Sequence, residues 1–340
     1  MTDLFSGISI KNVLIKNRIA MPPMVLGWSD NSGIITEEHI EYYQKRAKGG
    51  CGLIILEAHS IDKDGRLSDT QLGIWSDKHI DGIAKVAQSC HKYGSKVLVQ
   101  INHAGSSTPL SVSEKLFSSS GCKSGNPPIK ALTIKEIHKI QDLYVKAAIR
   151  AKKAGLDGIE LHGAHGYLIS QFISPLTNKR KDNYGGNLQN RARFAIEIIK
   201  TIKTEISDEN FLIGYRMGGN EPELEDGIKV AKLLELAGVD MLHVSSGMDG
   251  GNIPILPHDF DYNWIVYCGT KIKEQINIPV IAVKDIRTPK QAKYLVENNM
   301  ADFVAIGRGQ LADPDWANKA KNNTEIIQYL NISLFSIHET

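Results

Sequence analysis

The feature that most constrains this chain is a rhythm. Eight short apolar runs recur along its 340 residues: NRIAMPP (17–23), CGLIILEA (51–58), KVLVQINHA (96–104), DGIELHGA (157–164), FLIGYRMG (211–218), DMLHVSSG (240–247), IPVIAVKD (278–285) and ADFVAIGR (301–308). They are continuous rather than alternating, as strands covered on both faces must be. Helical patterns separate them, at 36–50, 76–94, 133–155, 187–206, 225–238 and 288–300. The third opens on a capping box, Thr133 with Glu136, and stops at Gly155. Eight strand–helix alternations predict an α/β fold, a (β/α)8 TIM barrel of one domain over 1–340 with a short tail from about 322. A doubly wound open sheet would show fewer strands per domain and a composition break between halves, and no such break is visible. The opening FSGISIKNVLIKN predicts a hairpin that plugs the barrel bottom. The long polar stretch at 118–132 predicts a lid or an excursion over one face.

Composition narrows the function classes. The chain is 42% hydrophobic and 23% charged, with 40 basic and 38 acidic residues for a net charge of +2. No basic cluster is interleaved with aromatics, so no nucleic-acid partner is expected. No apolar run reaches membrane-spanning length, and the N-terminus lacks a charged segment followed by an apolar one. The expected location is cytoplasmic, with no membrane partner. Cys51, Cys90, Cys122 and Cys268 are far apart, and no C-x-x-C motif exists, so reduced, mostly structural thiols are expected.

In such barrels the active site lies at the carboxyl ends of the strands. The groups there are Pro22, Pro23, Met24 and Val25; Glu57 and Ala58; Gln100, Asn102 and His103; His162, His165 and Tyr167; Arg216; His243 and Ser245; Lys284; and Gly307 and Arg308. Gly307-Arg308-Gly309 with Ala312 mimics a dinucleotide fingerprint, but too little chain follows for a βαβ unit. Barrels bind phosphate in the loops after strands seven and eight, and that reading is preferred over a plain glycine turn. Gln100 can donate to and accept from a pyrimidine edge, although alone it reads as a satisfied structural amide. Arg216 can stabilise negative charge on a ring. Phosphate at one side and a heterocycle across the mouth point to FMN. For His162 and His165 three readings stand. They are metal ligands with His103 or Glu57, hydrogen-bonded structural groups, or paired N–H donors to an oxyanion with Tyr167 as proton source.

Together NRIAMPPM, GLIILEA, LGIWSD, VQINHAG, LHGAHGYLISQFISPLTNKRKDNYGGNLQNRARF and ADFVAIGRGQLADPDW resemble the Old Yellow Enzyme family, most closely its short bacterial, barrel-only type. The likeness runs from about Leu4 to Lys321. It implies an FMN-dependent NAD(P)H oxidoreductase, an ene-reductase acting on a small-molecule activated alkene. FMN is the implied cofactor, with NADPH or NADH as donor in a ping-pong cycle. At matching positions it implies that Pro22, Pro23, Met24, Ala58, Gln100, His162, Arg216, Lys284, Gly307 and Arg308 contact FMN. His162 and His165 would bind the substrate oxygen, Tyr167 would donate the proton, and no metal would be needed. A homo-oligomer is also implied.

The chain departs from the family pattern in places. Val25 stands where relatives often carry Cys or Thr, which predicts an altered flavin potential. Gly27 replaces an aromatic, leaving open whether Trp28 compensates. Lys284-Asp285 stands where glycine is usual. Arg308 is the last arginine, so a neighbour's tail arginine is not expected to complete the site. No cysteine follows Cys268, so no iron–sulfur cluster of the dienoyl-CoA reductase type is expected. Two other readings remain open. One is an FMN-binding redox subunit or sensor with little turnover. The other is a metal-dependent lyase or hydrolase.

Overall fold

The computed structural model describes residues 2–122 and 127–327. Its centre is a closed barrel of eight parallel strands. In chain order these are β1 (Ile19–Met21), β2 (Leu53–Ser60), β3 (Lys96–Asn102), β4 (Gly158–Gly163), β5 (Leu212–Gly218), β6 (Met241–Ser245), β7 (Val280–Ala282) and β8 (Phe303–Ala305). Each pairs with its neighbours in sequence, and β8 returns to β1 through Val304↔Ile19 and Ala305↔Ala20. All eight expected strands form, because both faces of each are covered: every residue of β2, β4, β5, β6, β7 and β8 is buried.

The helices follow the expected spacing. Helix Ile134–Lys153 buries Ile137, Ile140, Tyr144, Ala147, Ala148 and Ala151, one stripe at three- and four-residue steps. Its capping box is made as read. The Thr133 N–H donates to Glu136 Oε2 at 2.8 Å, and the Glu136 N–H donates to Thr133 Oγ1 at 3.3 Å. Gly155, at φ 77°, ends it in left-handed backbone. Further helices lie at Glu37–Lys48, Ile80–His91, Leu188–Glu205, Leu224–Ala237, Trp264–Lys273 and Pro289–Glu297. A short buried helix, Leu168–Ile173, was not foreseen; LISQFI is apolar on all sides but one and too short for a period to show.

The N-terminal hairpin pairs Ile8–Ile10 with Val13–Ile15. Ile10, Val13 and Ile15 join Leu53, Leu98, Leu212, Met241, Ile281 and Phe303 in one core inside the barrel, so the plug is as expected. The excursion at 118–132 is fastened to the segment that follows β4. Arg180 Nη1 donates to the carbonyls of Ser119 and Leu132 at 2.8 and 2.6 Å, and Ser119 Oγ donates to Gln171 O at 2.6 Å. Residues 123–126 of it lie outside the described residues, as does the expected tail beyond 327. Among the described residues no helix is long and apolar enough to cross a membrane.

The plug carries weight in this packing. Ile15→Ala, at a fully buried position, is expected to cost about 3 kcal/mol. It would show as a lowered midpoint of thermal unfolding. An unchanged midpoint would mean that the hairpin only covers the barrel.

Candidate active site

At the carboxyl ends of the strands lies a cleft enclosing about 980 Å³ including its open mouth. The ten residues expected to contact a cofactor all line it: Pro22, Pro23, Met24, Ala58, Gln100, His162, Arg216, Lys284, Gly307 and Arg308. Tyr167 and Val25 line it as well. They come from the ends of seven strands, and only barrel closure brings them together. Part of the lining is apolar, with Pro22, Met24, Val25, Val283 and Leu311. One end is cationic, with Lys284, Arg287 and Arg308.

Strand register sets the polar groups at one level. His162 pairs with Arg216, and Arg216 with His243. Glu160, one turn of the pleat below, ties two of its neighbours: Gln100 Nε2 donates to its Oε1 at 2.8 Å, and His243 Nδ1 lies 2.9 Å from its Oε2. This holds the Gln100 amide in one orientation. Sequence reading passed over Glu160, although a carboxylate inside the continuous run GIELHG is itself a signal. Arg216 Nη2 donates to Ser245 Oγ at 3.2 Å, and His165 Nε2 meets the same hydroxyl at 2.7 Å. Arg216 Nε is buried with no partner among the described residues. An orphaned guanidinium N–H beside a cleft fits an acceptor on a bound heterocycle. An apolar lining and a cationic end complete the fit to FMN, whose ring and phosphate need both.

The two histidines and the tyrosine form one cluster. The His162 ring centroid lies 4.8 Å from that of Tyr167 and 5.0 Å from that of His165, both near-perpendicular. Two backbone features make this approach feasible. Gly163 has no room for a side chain, since a Cβ there would sit 2.1 Å from Tyr215 Oη. His165 (φ 57°) and Gly166 (φ 72°) then turn the chain through left-handed backbone, so no helix forms until Tyr167 caps Leu168–Ile173. The Ala164 N–H donates to His162 Nδ1 at 3.4 Å, which leaves the proton of a neutral ring on Nε2. Burial, then the Arg216 charge, holds both imidazoles well below the ordinary histidine range. They are neutral N–H donors at neutral pH. His165 differs from the expectation in one respect. It packs on the His162 ring and does not line the cleft, and its Nδ1 is buried with no partner among the described residues.

Glu57 and His103 do not join this cluster. A bulge after Leu56 shifts the register, so that Leu56 faces Val99 but His59 faces Ile101. It leaves Ala58 in the cleft and Glu57 outside the barrel, where its carboxyl accepts from the Leu26 N–H at 2.9 Å and from Tyr43 Oη at 3.3 Å. His103 Nδ1 accepts from the Gly105 N–H at 3.0 Å, and its ring packs on Gly65. Among the described residues no group of three or more His, Cys, Asp and Glu is placed to hold a metal. Trp28 also turns away from the cleft, onto Tyr42 at 5.4 Å, so it does not replace an aromatic at Gly27. Gly27 has φ 71°, a conformation an aromatic side chain would strain. Cys51, Cys90 and Cys268 are buried free thiols, pushed by burial to about 12. Cys122 is exposed.

Comparisons with known proteins agree with this geometry. An NADH oxidase of Thermoanaerobacter brockii is 44% identical over 334 residues, covering 95% of this chain; the chain spans about half (51%) of that protein's length. An NADPH dehydrogenase of Bacillus subtilis (strain 168) is 38% identical over 338 residues, covering 96% of this chain and 98% of the relative. Among solved structures, the old yellow enzyme homologue from Zymomonas mobilis superposes with a TM-score of 0.82 at 26% identity, over 99% of this chain and 97% of its own. A 2-naphthoyl-CoA reductase in complex with 2-naphthoyl-CoA superposes at 0.86 and 27% identity, over 96% of this chain and 53% of its own. Fold and site define an NAD(P)H-dependent flavin oxidoreductase on a TIM barrel, with FMN as its cofactor. The chain belongs to the NADH:flavin oxidoreductase / NADH oxidase family, whose model matches residues 3–326.

Glu57 yields a test of the site's outer support. Burial raises its carboxyl to about 8. The unfolded chain ionises there near the ordinary value of 4.5 while the folded chain stays protonated, so rising pH costs stability between about 4.5 and 8. Glu57→Gln removes that loss. The unfolding midpoint of the variant, relative to the unaltered protein, is expected to improve from pH 5 to pH 8. A difference independent of pH would mean that Glu57 is ionised in the fold.

Proposed function

We propose that the protein reduces the C=C bond of α,β-unsaturated carbonyl-type compounds, with NADPH or NADH as donor. FMN, when bound, supplies the hydride chemistry. The observation that carries this reading is the cluster of two neutral imidazoles and a phenol at the mouth of the cleft, with ring centroids 4.8 and 5.0 Å from His162.

The residues divide the work by chemistry. His162 offers Nε2–H to the substrate's activating oxygen. His165, packed against the His162 ring and off the cleft wall in this structure, would be the second donor through Nδ1, which has no partner among the described residues while Ser245 engages Nε2. Neutral donors suit this role, because they favour charge building on the oxygen without binding a ground-state anion tightly. Tyr167, on the same wall, is the proton donor to the α-carbon. Arg216 and the Gln100 amide, fixed by Glu160, face the heterocycle, and Gly307 and Arg308 hold the phosphate end. The alkene class is supported by the reductase relatives; a CoA thioester is one member of it, on the likeness to the 2-naphthoyl-CoA reductase. A second reading, an FMN-binding redox subunit or sensor, is favoured by Val25. This side chain lines the cleft and cannot hydrogen-bond a ring.

Anaerobic reduction of the purified yellow protein with NADPH, followed by 2-cyclohexenone, separates the two. A flavin spectrum that bleaches and returns supports the reductase; one that bleaches and stays bleached supports the sensor. Tyr167→Phe is expected to slow the enone half-reaction by roughly 100-fold or more, the lower end of the general-acid contribution, while NADPH still bleaches the flavin at near its original rate. Equal slowing of both half-reactions would remove Tyr167 as proton donor. His162→Ala with His165→Ala should abolish the long-wavelength band formed with phenols, and a retained band would refute the clamp.

A further inference from the structure

The cationic end of the cleft contains an acid. After β7 the chain passes through two consecutive non-glycine residues in left-handed backbone, Lys284 at φ 98° and Asp285 at φ 56°. That region suits glycine and tolerates aspartate, while lysine at φ 98° is strained. The turn delivers the Asp285 carboxylate to the Arg308 guanidinium, with which it forms an ion pair through Oδ1. Arg287 Nη2 lies 3.3 Å from the same oxygen. Lys284, Asp285, Arg287 and Arg308 all line the cleft. The Arg308 and Asp285 side chains are 38% and 40% exposed, so the pair faces solvent and can exchange partners.

A guanidinium presents a planar fork that a carboxylate and a phosphate engage in the same way. We propose that Asp285 is a built-in counter-anion that competes with the FMN phosphate for Arg308 and weakens this chain's hold on FMN. The inference rests on reading the Arg308 end of the cleft as the phosphate end. When a phosphate arrives, Asp285 either gives up Arg308 or stays beside a second anion, and both disfavour the bound state. Riboflavin, which lacks the phosphate, does not meet this competition. Asp285 therefore sets how strongly the protein distinguishes FMN from riboflavin.

The test is a fluorescence titration of the full-length chain, freed of flavin, with FMN and separately with riboflavin. Asp285→Asn keeps the size of the side chain and tolerates φ 56°. It is expected to bind FMN roughly fivefold more tightly, the upper range for a half-exposed ion pair, and riboflavin as before. Asp285→Gly, which also suits the left-handed turn, should do the same and serves if the first variant folds poorly. Arg308→Gln should lose FMN affinity and keep riboflavin affinity. Unchanged or weaker FMN binding by both Asp285 variants, with Arg308→Gln still impaired, would overturn the proposal and make Asp285 an orienting partner of Arg308. Unchanged FMN binding by Arg308→Gln would overturn the phosphate-end reading itself.

Discussion

Everything in this molecule depends on the closure of β8 onto β1. The two strands are three residues each and nearly 300 positions apart in the chain. The bonds between them include Val304 N–H to Arg18 O and Ile306 N–H to Ala20 O, both 2.9 Å. The buried amide of Gln310 reinforces the seam by donating to Ala20 O and Ile306 O. Pro22 to Val25 leave the first strand at this seam, and Gly307 and Arg308 leave the last. Without closure Pro22 to Val25 and the Gly307–Arg308 turn would belong to opposite edges of an open sheet. The hairpin fills the bottom of the same barrel, so the mouth is its one open end.

Above the seam, the site stands on buried carboxyl groups, each satisfied by hydrogen bonds. Glu160 fixes Gln100 and His243. Glu57 holds the Leu26 N–H and so the segment that follows β1. Glu221 accepts from Ser170 Oγ and from the Met248 N–H, both at 3.1 Å, and joins the helix after Tyr167 to the loop after β6. Burial raises the Glu221 carboxyl to about 8, as it does that of Glu57. A fully partnered polar group in a low-dielectric interior is rigid, because each alternative leaves a donor or acceptor bare. These networks give the mouth a fixed shape, which an oxyanion clamp and a proton donor require.

Much of this was legible in the residues. The (β/α)8 architecture followed from eight continuous apolar runs, since only strands covered on both faces read that way. The capping box at Thr133 and the stop at Gly155 placed one helix to within a residue. The strand-end rule brought out Pro22 to Val25, Ala58, Gln100, Arg216, Gly307 and Arg308 of the cleft, but not Leu67, Ala305 or Leu311. Less visible were the helix at 168–173, whose length is under two turns, and Glu160, whose partners lie 60 and 83 positions away. The directions of Glu57 and Trp28 were also hidden, because a single bulge in β2 and a left-handed Gly27 decide which way they point.

By itself, then, the sequence determined the kind of barrel, the end that carries the chemistry and the side chains present there, because burial pattern and strand order are local properties of the chain. Tertiary structure alone decided how those side chains face one another. The neutral imidazoles of His162 and His165 and the buried Nε of Arg216 arise where groups distant in sequence meet out of reach of water, and the half-exposed pairing of Asp285 with Arg308 arises where the turns after β7 and β8 meet. Proton positions and charge pairs are set by distance and burial, and neither is written in the order of the residues.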